Sequence, residues 1–166
     1  THHYAGDAID ARLAELLTEN HPEAQFSNNM VREIKEQYSC VGTHMDPVKV
    51  TFPVQGKPTE FDITAEVSEA CSAIVAPTVE ALQDLIATFG PEFQQKMRNH
   101  VLLGGGGSQI TGLSRAFEDA LVEYGGGKVR TVEEPQYAGS NGALKIALDM
   151  PEDFWQEFIE EQSQEA

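Results

Sequence analysis

Basic residues are scarce in this chain: 11 Lys and Arg stand against 27 Asp and Glu, a net charge of −16 over 166 residues. Such a field repels phosphate backbones and anionic bilayers, so nucleic acid and lipid headgroups are not expected as partners. Cysteine is scarce too. Cys40 and Cys71 lie in apolar helical patterns without metal-ligand spacing, and read as reduced, buried small hydrophobes of a cytosolic protein. No apolar run reaches the length expected of a membrane span and no secretory leader pattern is present, so no direct membrane insertion is expected. His2 and His3 are too few to hold a metal. The glycines at 104–107 lack a following Gly-Lys-Ser/Thr, which argues against a P-loop, and they do not complete a Rossmann fingerprint.

What is present suits a globular chain: 40 % apolar and 23 % charged residues, with length for one substantial core or two small lobes. Ile9, Leu13, Leu16 and Leu17 fall at helical spacing, and Asn20-His21-Pro22 ends that run. Ser27-Asn28 can cap a second helix carrying Val31, Ile34 and Tyr38 on one stripe, with Lys35 and Glu36 at its edge and beyond it. The period then shortens to two. Val48, Val50, Phe52 and Val54 alternate as a strand, 55–58 reads as a turn, and 59–64 as the returning strand of a hairpin. Pro53 puts the first strand at an edge.

Helical spacing returns from Ser68, with Pro77 expected to kink or divide the stretch and Gly90-Pro91 to stop it. A short apolar strand at 100–103 leads into Gly104-Gly105-Gly106-Gly107-Ser108. A helix with Leu113, Phe117, Ala120 and Leu121 follows, then a strand at 128–132, a small-residue helix from about 142 to 149, and a last helix at 151–161. Alternation of strand and helix predicts a small α/β layer in the second half. The first half is expected to be mainly two helices and a hairpin.

The strongest local signal is the strand–glycine loop–helix unit from Val101 to Leu121. Glycines let backbone approach a ligand, and the amides opening a helix carry partial positive charge. A flexible linker and a tight turn without ligand are the competing readings of the same residues.

Residues 101–113, VLLGGGGSQITGL, resemble the adenosine motif of the actin, heat-shock-chaperone and sugar-kinase superfamily, whose fold is ribonuclease H-like. Residues 31–37, VREIKEQ, similarly resemble the adenosine-contacting helix of actin-like proteins. By that resemblance Lys35 lies beside the adenine, Glu36 accepts from the ribose hydroxyls, and Gly105, Gly106, Gly107, Ser108 and Gln109 form the facing loop. The chemistry is sound: a carboxylate can accept from both hydroxyls of a diol, and a Lys stem can cover an aromatic face. Ala5 to Asp10 resembles the helix start after the second phosphate loop, and Glu134 to Ala143 the last loop and helix of the domain. The segment 150–155, MPEDFW, resembles the C-terminal part of the MamK type of bacterial actin.

The resemblance covers nearly the whole chain and implies the α/β second lobe of this fold, helices around a small mixed sheet with a helix-and-hairpin subdomain. Residues 4–72 would be subdomain IIB-like, 73–150 IIA-like, and 151–166 a C-terminal helix and acidic tail. It also implies the C-terminal half of a cytoplasmic ATPase that uses ATP/ADP with Mg²⁺, self-associates into filaments and organises magnetosomes with their associated proteins. The two phosphate hairpins and the water-positioning carboxylate of that family are not among these residues. No catalytic residue is therefore nominated, and no metal ligand. Each charge-assisted hydrogen bond to phosphate contributes about 1.5–3 kcal/mol, so lacking several is expected to weaken ATP binding by roughly a thousandfold or more and to leave this chain without hydrolysis. The 48–64 hairpin is a candidate filament contact. Phe154, Trp155, Phe158 and Ile159 form a stripe expected to pack on its own lobe. A non-enzymatic interaction domain with the same fold is the alternative, and a sugar or acetate kinase lobe a weaker one, since no substrate-binding cluster stands out.

Overall fold

The computed structural model describes residues 6–42, 46–151 and 153–155. The first helix, α1, spans Gly6–Asn20 and buries Ile9, Leu13, Leu16 and Leu17, the stripe its spacing predicts. Helix α2, Asn28–Tyr38, starts where the Ser27 hydroxyl accepts the Met30 N–H, and it buries Val31 and Ile34. Strands β1, Lys49–Val54, and β2, Lys57–Asp62, pair antiparallel. The expected four-residue turn is only two residues long. Gln55 and Gly56 both take positive φ, 52° and 80°, the conformation whose twist matches a hairpin. Pro58 thereby enters the returning strand opposite Pro53; in a two-stranded sheet each strand is an edge, which tolerates the missing donors.

The next helical stretch begins earlier than expected, at Thr64. The Asp62 carboxylate accepts from both the Thr64 N–H and its hydroxyl, which organises the start of α3, Thr64–Ser72. Helix α4 follows at Val75–Ala87. The break at 73–74 places Pro77 in the first turn of α4, where a missing N–H costs least. Taken as one run, Thr64–Ala87 is long and apolar enough by composition to cross a bilayer, contrary to the sequence expectation. In the fold the run is divided, and Val67, Ala70 and Cys71 are buried, with α3 packed on α1.

Helix α5, Pro91–Arg98, was not legible in the sequence because it buries none of its residues. Strand β3, Val101–Leu103, leads into the glycines and a 3₁₀ turn at Gly106–Gln109. Helix α6, Leu113–Leu121, buries Leu113, Phe117 and Leu121. Strand β4, Val129–Thr131, then returns parallel to β3, with Val101 beside Val129. Helix α7 covers Ala138–Asp149, starting ahead of the expected 142. Phe154 and Trp155 are 47 % and 37 % exposed; Phe158 and Ile159 lie outside the described residues.

Helix α1 packs on α2 and α3, while α4 packs on α5 and α6. One buried cluster runs through both groups, from Ile9 and Phe52 to Phe117 and Val129. Phe52, fully buried, has the rings of Phe26 and Phe61 within 6 Å, at 5.7 and 5.9 Å. Cys40 and Cys71 are buried and free, and burial pushes the Cys71 thiol pKa upward.

Candidate functional site at the seam of α2 and the glycine loop

After α2 the chain runs beside Thr111. The Val41 N–H donates to the Thr111 carbonyl at 2.8 Å, and the Thr111 N–H donates to the Ser39 carbonyl at 3.2 Å. These two bonds make a parallel bridge centred on Cys40 and Thr111. Gly112, which opens α6, makes the approach feasible. It sits at φ 81° and a Cβ there would collide with the Val41 carbonyl oxygen, so only glycine meets both demands. The end of α2 and the end of the glycine loop are thus stitched along one seam.

On the loop side, Gly105 also takes positive φ, and its N–H donates to the Pro135 carbonyl at 2.7 Å. Ser108 is turned inward: it is buried, and its hydroxyl donates to the Gly105 carbonyl at 2.8 Å. Gly106 and Gly107 are exposed, with nothing within 4 Å of where a Cβ would stand. Open space therefore lies over their backbone. Gln109 is exposed, and its side-chain oxygen accepts from Gln136 at 3.3 Å, tying the loop to the segment before α7.

On the helix side, Glu36 is exposed, and among the described residues no hydrogen bond or ion pair engages its carboxylate. Lys35 differs. Its ammonium lies 2.8 Å from Asp10 Oδ1 and donates to the Gly6 carbonyl at 3.1 Å, with the side chain only 15 % exposed. The structure thus places Glu36 and the glycines on the two elements that meet at the seam, while the head of Lys35 is turned onto α1.

A cavity of about 610 Å³ opens at the same seam, lined by Tyr38, Val41, Thr111, Gly112 and Arg115 among others. Its volume is in the range of small-molecule sites. None of the seven residues selected from the sequence lines it, although Gln37, next to Glu36, does. Behind the loop, the Glu118 carboxylate accepts the Val129 N–H at 3.0 Å, which holds its pKa below the usual range and clamps β4 to α6. Among the described residues no group of three His, Cys, Asp or Glu side chains is placed to hold a metal. Sequence reasoning missed the parts played by Val41, Thr111 and Asp10. Thr111 and Asp10 stand inside motifs already singled out, but their contacts are long-range and carry no local signal.

The Salactin family model matches residues 1–150. The actin-like protein MamK of Paramagnetospirillum magneticum is 35 % identical over 153 residues, 92 % of this chain and 44 % of that protein. Among solved structures, a MamK double helical filament superposes with a TM-score of 0.85 at 35 % identity, over 89 % of this chain and 46 % of the other. A non-polymerising MamK mutant bound to AMPPNP gives 0.81 at 36 % identity, over 86 % and 44 %. The chain spans under half the length of the relatives it matches. With the seam, the glycine loop and these likenesses together, the chain belongs to the Salactin family and has the fold of a lobe of the actin-like proteins.

Proposed function

We propose that this chain is the second, nucleotide-facing lobe of an actin-like ATPase that polymerises into cytoplasmic filaments. It contributes one side of an adenosine site and part of the subunit contacts, and does not complete catalysis alone. The observation that carries this reading is the seam: a Glu36 carboxylate that no described residue engages on one element and an uncovered Gly106-Gly107 backbone on the other. A free carboxylate fits a ribose diol, and open glycine backbone fits close approach of a nucleoside. Lys35 fits through its stem, which can lie along a base while its head is held elsewhere. The relatives known as filaments, and one solved with AMPPNP, support the same reading.

The ligand is ATP or ADP with Mg²⁺; the ion travels with the phosphates. Residues 4–72 and 73–150 act as two subdomains, with the 48–64 hairpin as part of the contact to a second copy. Organisation of magnetosomes, through proteins associated with them, is the cellular role this reading carries. A non-enzymatic assembly domain is the second reading, favoured by the exposed Leu85, Phe89 and Phe93 around the corner from α4 to α5. The two separate in an NMR titration of the ¹⁵N-labelled chain with ADP–Mg²⁺. Saturable shifts at Glu36, Gly106 and Gly107 that vanish in Glu36→Ala uphold the adenosine half-site. No shift at millimolar ADP, with concentration-dependent sedimentation, leaves the assembly domain.

A further inference from the structure

We propose that Asp10 is a positioning residue for the adenosine half-site, acting through the ammonium of Lys35 to set the turn of α2 on which Glu36 stands. The proposal rests on the adenosine reading above and assigns the head of Lys35 to the fold instead of the ligand.

Asp10 stands on α1, and two successive turns of α2 grip its carboxylate. Lys35 Nζ is 2.8 Å from Oδ1 and Arg32 Nε is 3.7 Å from Oδ2. Lys35 also reaches the carbonyl of Gly6, the first residue of α1, at 3.1 Å. A Cβ at position 6 would stand 3.2 Å from that ammonium, so the absence of a side chain there leaves room for the contact. The pair is largely withdrawn from water, with side chains 15 % and 17 % exposed, unlike Lys49–Glu60 at 57 % and 64 %. A partly buried pair resists loss of either partner, because the remaining charge is left uncompensated, whereas an exposed pair does not.

The consequence for the site is geometric. Successive residues of a helix point about 100° apart, so drawing Lys35 onto α1 turns Glu36 outward. Among the described residues no hydrogen bond or ion pair holds Glu36. The orientation of its carboxylate therefore depends on the rotation of α2, which the buried Val31 and Ile34 set coarsely and the lock between Asp10, Lys35 and the Gly6 carbonyl sets finely.

The test compares ADP with 2′-deoxy-ADP on the whole chain by NMR titration, because only the former presents the diol to Glu36. The wild type is expected to prefer ADP, and Glu36→Ala to abolish the preference. In Asp10→Asn, ADP affinity falls about threefold to tenfold, the scale of one hydrogen bond, while 2′-deoxy-ADP affinity changes less and the ratio moves toward one. Lys35→Met, which keeps the stem and loses the charge, behaves as Asp10→Asn; Lys35→Arg keeps the pair and the ratio. If Asp10→Asn does not fold, the two Lys35 variants decide between them. Equal weakening of both nucleotides in Lys35→Met, with the ratio intact, overturns the proposal and leaves the adenosine site standing. Failure of the wild type to bind either nucleotide, or to prefer ADP, overturns the adenosine reading and this proposal with it.

Discussion

Helices α1 and α7 are similar in length, 15 and 12 residues, and opposite in fate. Helix α1 buries four side chains, with Leu17 at 0 % exposure, whereas α7 buries none and leaves Leu144, Ile146 and Leu148 at 58, 62 and 76 %. The difference lies in what surrounds them. Helix α1 has α2 and α3 to receive a single apolar stripe. In α7 the apolar residues face more than one side, and among the described residues no element packs extensively on it. Leu102 on β3, 66 % exposed, shares that condition. Spacing makes a helix, but only a neighbour makes it part of a core.

That contrast can be broken first by truncation. Leu17→Ala is expected to cost about 2–5 kcal/mol in urea unfolding, the range for emptying a packed site. Leu148→Ala should stay within about 0.5 kcal/mol, as for exposed positions. An equal loss at Leu148 would mean that this face is covered in solution, and sedimentation would then show association.

A smaller contrast lies within the glycines. Gly112→Ala should cost about 1–3 kcal/mol, since its left-handed conformation and the Val41 carbonyl both oppose a side chain. Gly107→Ala, with open space and no positive φ, should change stability little. On the proposed adenosine reading it would still crowd a nucleoside above the loop, so unfolding and ADP titration would read the two variants in opposite order.

The smallest effect is the dependence on pH. Hydrogen bonds from Thr64 hold the Asp62 carboxyl pKa below its usual value, and the Val129 N–H does the same for Glu118. A carboxyl lowered in the folded state contributes stability above its unfolded pKa and loses it as pH falls through the folded one. Asp62→Asn should therefore lower the urea midpoint at neutral pH and converge on wild type in acid. A constant gap across that range would mean that the Asp62 charge is not the cause.

Much of the fold was legible because it rests on local physics. The α1 stripe, the Ser27 cap, the alternation before Gln55 and the glycine-flanked α6 all carry their signal within one or two turns. The errors have local causes too. Helix α5 has no buried face to betray it, and the hairpin turn could not be shortened without knowing that Gln55 would accept positive φ. Of the candidate site, the sequence singled out Glu36 and the glycines through their resemblance to known motifs. It did not expose Lys35 bound to Asp10, Ser108 turned inward onto Gly105, or the bonds between Val41 and Thr111.

By itself the sequence determined most of the elements and the acidic field, and singled out α2 and the glycine loop, because periodicity, charge and glycine placement act over short distances. Tertiary structure alone decided which carboxylate stands free. Asp10 and Glu36 are both acidic residues on helices, yet one is gripped by Lys35 and Arg32 and the other is exposed and unengaged among the described residues. The choice depends on how α1 and α2 pack, and long-range packing has no period in the sequence.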